Sequence, residues 1–458
     1  MRKLITAAAL ATMSIGANAQ NPIVQTWFTT DPAPMVSGDR LYVYTGHDED
    51  NATFFWMNEW RVYSTSDMVN WTDHGSPLNL ESFSWADDRA WAPQCVERNG
   101  KFYLYIPAHD KNTGTMAIGV GVSNKPTGPF KDPIGKPLAT GSWDYIDPTV
   151  LIDDDGKAYL AWGNPRIYIC ELNDDMISIK GGEQAIKKLD MTEEAFGAPP
   201  RNERKEGVKY TEGYVEGPWL SKRNGKYYLL YASGGIPEHI SYSTADNIYG
   251  PWKFGSSIMP VCDTRSFTNH SGVVDYKGHS YFFYHTGKLP NGGGFGRSVA
   301  VEEFKYNADG SFPVIMPTDE GVKPIGTLNP FQRVEAETMA FSRGLKSEDN
   351  AKTGVYISEI HHHDSLVVKC VDFGTRQPKK FTASVASALQ GGKMEIHLDK
   401  ADGPILCTIE CGGTGGWEAW RKVSAPITQT VTGKHDLIFQ FRGLSGQRLF
   451  NFDWWKME

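Results

Sequence analysis

The chain has 458 residues, a net charge of −8 and a pI of about 5.9. Its length predicts two domains, and its acidic balance without any basic block argues against nucleic acid or anionic membranes as partners. Six cysteines over this length do not make a disulfide framework.

Residues 1–19 read as an export signal. Arg2 and Lys3 are basic, Leu4 to Ile15 are mostly apolar, and Ala17-Asn18-Ala19 is a small-residue cleavage site. The apolar run is too short to span a bilayer, and no later run approaches that length, so membrane insertion is not expected. No cysteine near the cleavage site suggests a lipid anchor. The expected location is secreted or periplasmic.

From residue 20 strand signals dominate, as in Leu41-Tyr42-Val43-Tyr44, Phe102-Tyr103-Leu104-Tyr105 and Tyr227-Tyr228-Leu229-Leu230-Tyr231. Five turn glycines, Gly38, Gly100, Gly156, Gly225 and Gly278, recur at intervals of 62, 56, 69 and 53 residues, each opening an aromatic-rich strand. A unit of that size with about four strands predicts a β-propeller, here of five blades over residues 20–317. The first strand of each blade lines the axis. Stepping back seven to nine residues from each glycine gives Asp31, Trp91, Asp147, Glu216 and His270, which are expected to ring one end of the channel.

Asp31-Pro32 and Asp147-Pro148 read singly as turns. Their shared place in the repeat with Glu216-Gly217-Pro218 points instead to converging carboxylates, the usual machinery for cleaving glycosidic bonds. The proline after each aspartate predicts an extended backbone there. Asp153-Asp154-Asp155-Gly156 lacks calcium-loop spacing and reads as a solvated turn. The 14 Trp, 20 Tyr and 22 Phe fit either core filling or sugar stacking.

Residues 318–330, rich in Gly, Pro and Thr, read as a linker. Residues 331–458 carry short alternating strands, such as Met394-Glu395-Ile396-His397-Leu398, and predict a β-sandwich of jelly-roll type. The chain is therefore expected to be all-β. Cys407 and Cys411 either pair or remain two strand cysteines of unsuitable geometry. His361-His362-His363 reads as a loop, not a metal site.

Asp-Pro-Ala-Pro at 31–34, Trp91-Ala92-Pro93, Asp147-Pro148-Thr149, Glu216-Gly217-Pro218 and Phe267-Thr268-Asn269-His270 together resemble a glycoside hydrolase family 43 domain. Tyr42 to Asp48, Asp67 to Gly75 and Arg297-Ser298-Val299 are most similar to its arabinoxylan arabinofuranohydrolase branch. The resemblance implies Asp31 as general base, Glu216 as general acid, and Asp147 as the carboxylate that orients substrate and raises the acid's pKa. It implies an axial place beneath the sugar for His270, either as a structural histidine or beside a hydrated calcium. Arg297 is implied near the sugar, with a surface ion pair as the alternative. Phe28 and Trp91 are candidate pocket walls, with core packing as the alternative.

Glu335-Ala336-Glu337, Gly413 to Trp420 and Phe450 to Trp454 resemble a family 6 carbohydrate-binding module. That implies a structural calcium held by Glu335, Glu337 and Asp453, and a sugar cleft with Tyr356, Trp420 and Asn451. No cofactor is expected for catalysis. The expectation is an exported inverting α-L-arabinofuranosidase acting on plant cell-wall polysaccharide of arabinoxylan type and its oligosaccharides. The rivals are a β-xylosidase of the same fold and a non-catalytic carbohydrate-binding propeller.

Overall fold

The structure, a computed structural model, describes residues 21–458, so the export reading of residues 1–19 lies outside the described residues. Aromatic and β-branched runs, cut by Gly, Asn and Asp, form antiparallel sheets from end to end. Asn99-Gly100 and Asn224-Gly225 show how the repeat is punctuated. Both residues of each pair have φ between 50° and 76°, as a two-residue hairpin turn joining Arg98 to Lys101 or Arg223 to Lys226 requires.

Five sheets follow in order. Blade 1 holds Thr29–Ser37, Arg40–His47, Glu59–Thr65 and Trp71–Asp73. Blade 2 holds Gln94–Arg98, Lys101–Asp110, Thr115–Ser123 and Ala139–Thr140. Blade 3 holds Thr149–Ile152, Ala158–Trp162, Tyr168–Leu172 and Lys187–Lys188, and blade 4 holds Tyr214–Arg223, Lys226–Ser233, His239–Ala245 and Lys253–Met259. Blade 5 has three strands, Gly272–Tyr276, His279–Thr286 and Ser298–Phe304. The residues before blade 1 lie along its outer edge: the Ile23 amide donates to Val299 O (2.8 Å), and Asn21 Oδ1 accepts from the Val301 amide (3.0 Å). That contact ties the two ends of the ring together. Apolar cores lie between blades rather than at one centre, with Tyr105, Leu160 and Trp162 between blades 2 and 3, and Phe196, Tyr214 and Tyr231 between blades 3 and 4.

Two further sheets face each other after residue 334. One pairs Lys346–Asn350, Gly354–Ser358, Asn451–Met457, Lys380–Ser387 and Gly416–Pro426; the other pairs Phe341–Arg343, Ser365–Asp372, Lys434–Arg442, Gly391–Leu398 and Ile405–Gly412. Phe381, Phe439 and Trp455 fill the space between them. Cys407 and Cys411 share the strand Ile405–Gly412, four residues apart in extended chain, so they cannot pair, and all six cysteines are free.

The sandwich and the propeller are continuous. Thr338–Met339 adds to the outer strand of blade 1, Thr338 opposite Thr72 and Met339 opposite Trp71. Ser347 accepts from the Trp27 indole (2.6 Å) and donates to Asp73 (2.6 Å), which ion-pairs with buried Arg61 (3.1 Å). Asn70 exchanges two hydrogen bonds with the backbone of Lys369. The 318–330 stretch is fastened as well, the Ile325 amide to Asp67 O and the Leu328 amide to Cys370 O.

Asp73 is the buried pivot of this junction. Asp73→Ala strips Arg61 of one of its two carboxylate partners inside the protein, and should cost about 3 kcal/mol. Ser347→Ala should cost about 1 kcal/mol. Urea titration of the full chain checks both, and equal midpoints for Asp73→Ala and wild type would contradict this account.

Candidate active site

The inner strands deliver one segment from every blade to a single axial cavity. Asp31, Pro93, Asp147, Gly217 and His270 line it, in blade order. The convergence expected from the repeat is therefore present. In blade 2 it is Ala92 and Pro93 that face the cavity. Trp91 stands beside it, donating its indole N–H to Phe55 O (2.9 Å) and meeting the Phe55 ring edge-on at 6.2 Å.

Local backbone strain aims the acids. Asp31 and Asp147 have φ of 52° and 58°. This corrects the extended backbone expected before proline. The pairing with the second strand breaks between Thr30 and Ala33, and the break lets Asp31 turn inward. Glu216 pairs with Ala232 between two further register shifts. Gly217 follows at φ 60°, and a Cβ there would lie 2.6 Å from His270 Nε2. The glycine is required by the imidazole packed against it.

His270 sits among three carboxylates. Its Nδ1 is 3.6 Å from Asp31 Oδ1, and its Nε2 is 3.5 Å from Asp147 Oδ2 and 4.0 Å from Glu216 Oε1. Burial alone would strip its proton, but Asp31, Asp147 and Glu216 outweigh burial and push it up to about 10. At neutral pH it is an imidazolium. Asp147 also accepts the Gly217 amide (3.1 Å).

The acids are driven apart in protonation. Burial pushes Asp31 up, yet Arg297, His270 and His285 together hold it well below the usual carboxylate range. Arg297 lies 3.4 Å from Asp31 and is clamped by Asp48 at 2.9 and 2.8 Å. For Glu216, burial and then the Asp147 charge raise the pKa to about 7, against the opposing pull of His270 and Asn164. Asn164 donates to Glu216 Oε2 at 2.6 Å. Glu216 is also the most open of the three, its side chain 20% exposed against 5% for Asp31 and 6% for Asp147, as a group that must reach a ligand would be.

Several neighbours escaped the sequence reading. Asp48, Asn164, Glu238 and Arg297 all lie in connections between the second and third strands of their blades. Only Arg297 had been singled out, because these connections vary in length and sit at no fixed offset from the glycines. Phe55 lies 4.9 Å beneath the Arg297 guanidinium and edge-on to Phe267 and Phe295. Phe28 is buried, and a Cβ on Gly296, the neighbour of Arg297, would lie 3.5 Å from its ring.

Among the described residues, one set of three candidate metal ligands gathers within 4.8 Å: Asp147, Glu216 and His270. In the sandwich, Arg333 pairs with Glu335 (2.7 Å) and reaches Asp453 (3.4 Å). Glu337 is buried with Oε2 unpartnered, and burial, then Glu335, Asp73 and Asp453, push its pKa well up. An orphaned buried carboxylate beside two others fits a cation, although these three do not gather within 4.8 Å.

Of the residues expected in a sugar cleft of the sandwich, Tyr356 and Trp420 come together. Tyr356 and Trp420 touch edge-on at 5.2 Å, and Tyr356 donates to Glu348 (3.1 Å). Buried Asn451 donates to Trp417 O and accepts from Arg448, each at 2.7 Å. Asp153 forms a turn that accepts Lys222 and Tyr227. The histidine run bonds to Glu359 O, Gly443 and Arg442.

Residues 19–312 match Glycosyl hydrolases family 43, and residues 335–458 match Carbohydrate binding module (family 6). The arabinoxylan arabinofuranohydrolase of Bacillus subtilis (strain 168) is 31% identical over 504 residues, covering 95% of this chain and 92% of that protein. A xylosidase/arabinosidase of Bacteroides ovatus is 35% identical over 323 residues, covering 64% of this chain and 96% of that protein. A crystal structure of a family 43 arabinoxylan arabinofuranohydrolase from Bacillus subtilis in complex with cellotetraose superposes with a TM-score of 0.82 at 30% identity, covering 97% of this chain and 99% of that one.

Gly217→Ala tests the packing of the imidazole. The substitution forces either a strained φ or displacement of His270, and should lower kcat by about 100-fold or more while costing about 2 kcal/mol of stability. Activity within a few-fold of wild type would show that the close approach does not matter.

Proposed function

Because this chain belongs to glycosyl hydrolase family 43, we propose that it is an exported α-L-arabinofuranosidase that releases arabinofuranosyl side groups from arabinoxylan-type hemicellulose with inversion. The observation that carries this reading is the placement of Asp31 and Glu216 on opposite nitrogens of the His270 ring, with Arg297 beside Asp31 and Asn164 bonded to Glu216. The arabinoxylan arabinofuranohydrolases among its relatives supply the substrate class. Rivalry from xylosidase chemistry rests on the mixed xylosidase/arabinosidase relatives.

In this reading Asp31 is the base. Its carboxylate, kept ionised by Arg297 and His270, takes a proton from a water that attacks the anomeric carbon. Glu216, kept protonated by burial and Asp147, gives its proton to the leaving-group oxygen as the glycosidic bond breaks. The water oxygen arrives on the face opposite the leaving group, so the configuration inverts, and such a pair stands roughly 6.5–9.5 Å apart to leave room for the water. Asn164 orients the Glu216 carboxyl. His270 and Arg297 supply the fixed positive charge that keeps Asp31 ionised as the base.

The domain reading that accompanies this proposal is a catalytic propeller over residues 20–317, a tied segment over 318–330 and a carbohydrate-binding module over 331–458. In the module, Glu335, Glu337 and Asp453 would hold a structural calcium, neutralising a buried carboxylate and joining the first and last strands of the sandwich. Asp147, Glu216 and His270 also gather closely enough to hold a cation, but a cation there would require His270 and Glu216 to give up the protons this reading assigns them.

Four outcomes are expected. Parallel assays on aryl α-L-arabinofuranoside, aryl β-D-xyloside and arabinoxylan should show the first and third as substrates; xyloside alone would overturn the assignment. With a poor leaving group, kcat/KM should be flat on the acid side and fall about tenfold per pH unit above about 7, as Glu216 loses its proton. Glu216→Ala should abolish release from arabinoxylan by about 1,000-fold or more and spare activated aryl glycosides far better. Proton NMR of the first sugar freed should show the β-anomer; α-anomer first would remove Asp31 from the role of base.

A further inference from the structure

Glu238 is a buried acid that the mechanism above does not use. It ends the connection between Lys226–Ser233 and His239–Ala245 in blade 4 and is 7% exposed. Its backbone amide donates to Phe267 O (3.0 Å), and its Oε2 accepts the Asn269 amide (2.8 Å). One residue thus grips both ends of the Phe267–Asn269 segment that delivers His270. Its second oxygen, Oε1, takes no hydrogen bond among the described residues and is not sealed from solvent. The charged groups facing it are Glu216 of its own blade, His270 of blade 5 and Asp147 of blade 3.

We propose that Glu238 is a specificity-determining residue of the sugar pocket, its Oε2 fixing the Asn269 amide while its Oε1 hydrogen-bonds a hydroxyl of the bound glycosyl group. This rests on the functional reading given above. Burial above all pushes the pKa of the Glu238 carboxyl well up, and its free Oε1 can pair with a sugar hydroxyl. A furanosyl ring and a pyranosyl ring place their hydroxyls differently against such a fixed partner. A ring that misses it leaves a buried polar group unpaired, which is how a site of this kind discriminates.

The experiment measures kcat/KM of the full chain on para-nitrophenyl α-L-arabinofuranoside and para-nitrophenyl β-D-xyloside. Glu238→Ala should lower the arabinofuranoside-to-xyloside ratio by about tenfold. Glu238→Gln keeps an acceptor for Asn269 and a donor for the sugar, and should hold the ratio within about threefold. Equal losses on both substrates, or a Gln variant that loses as much of the ratio as Ala, would overturn the proposal. If Glu238→Ala does not fold, Glu238→Asp, one methylene short, gives the same comparison with the same two outcomes. A wild type that cleaves neither glycoside overturns the functional reading with it; an active wild type whose ratio no variant alters overturns the role of Glu238 alone.

Discussion

Three carboxylates gathered inside a protein repel one another and lose their hydration, and the imidazole of His270 is what makes the gathering tenable. One ring lies within 4.0 Å of Asp31, Asp147 and Glu216, and their combined field keeps it charged. The charge is shared unequally. Asp31 gains a second cation in Arg297 and stays ionised, whereas Glu216 has Asp147 against it and holds its proton. Two identical functional groups are thus set apart by their surroundings, as the proposed acid and base roles require. The ring can occupy that place only because Gly217 carries no side chain.

The rest of the site is assembled across blade boundaries. Asp48 of blade 1 clamps Arg297 of blade 5, Asn164 of blade 3 bonds Glu216 of blade 4, and Glu238 of blade 4 bonds Asn269 at the entry to blade 5. Each comes from the connection between the second and third strands of its blade. Inner strands supply the axial carboxylates and neighbouring connections hold them in place, an arrangement that suits the proposed chemistry, where orientation must precede reaction. Closure of the ring by residues 21–23 along blade 5 protects the same arrangement, because Asp31 and Arg297 come from its two ends.

The sandwich is joined to that ring by backbone pairing as well as side chains. It extends the sheet of blade 1, and its Ser347 completes a buried chain from Trp27 through Asp73 to Arg61. In its own cleft Tyr356 and Trp420 are already in contact, and Arg448 occupies the amide of Asn451. The contact with blade 1 is therefore the interaction of this unit that is already formed.

The sequence by itself determined the all-β fold, the five-fold repeat and the meeting of Asp31, Asp147, Glu216 and His270 at one axis. A propeller repeat places equivalent residues at equivalent radii, so counting back from Gly38, Gly156, Gly225 and Gly278 is enough to find them. The strained backbone of Asp31 and Asp147 was not legible, because the rule for residues before proline describes unstrained chain, and here both residues stand at positive φ, Asp31 at a break in strand pairing. Nor were Asp48, Asn164 and Glu238, which lie in connections of unequal length and find their partners on other blades. Tertiary structure alone decided which carboxylate keeps its proton, since that depends on distances to His270, Arg297 and Asp147 that no spacing in the chain encodes.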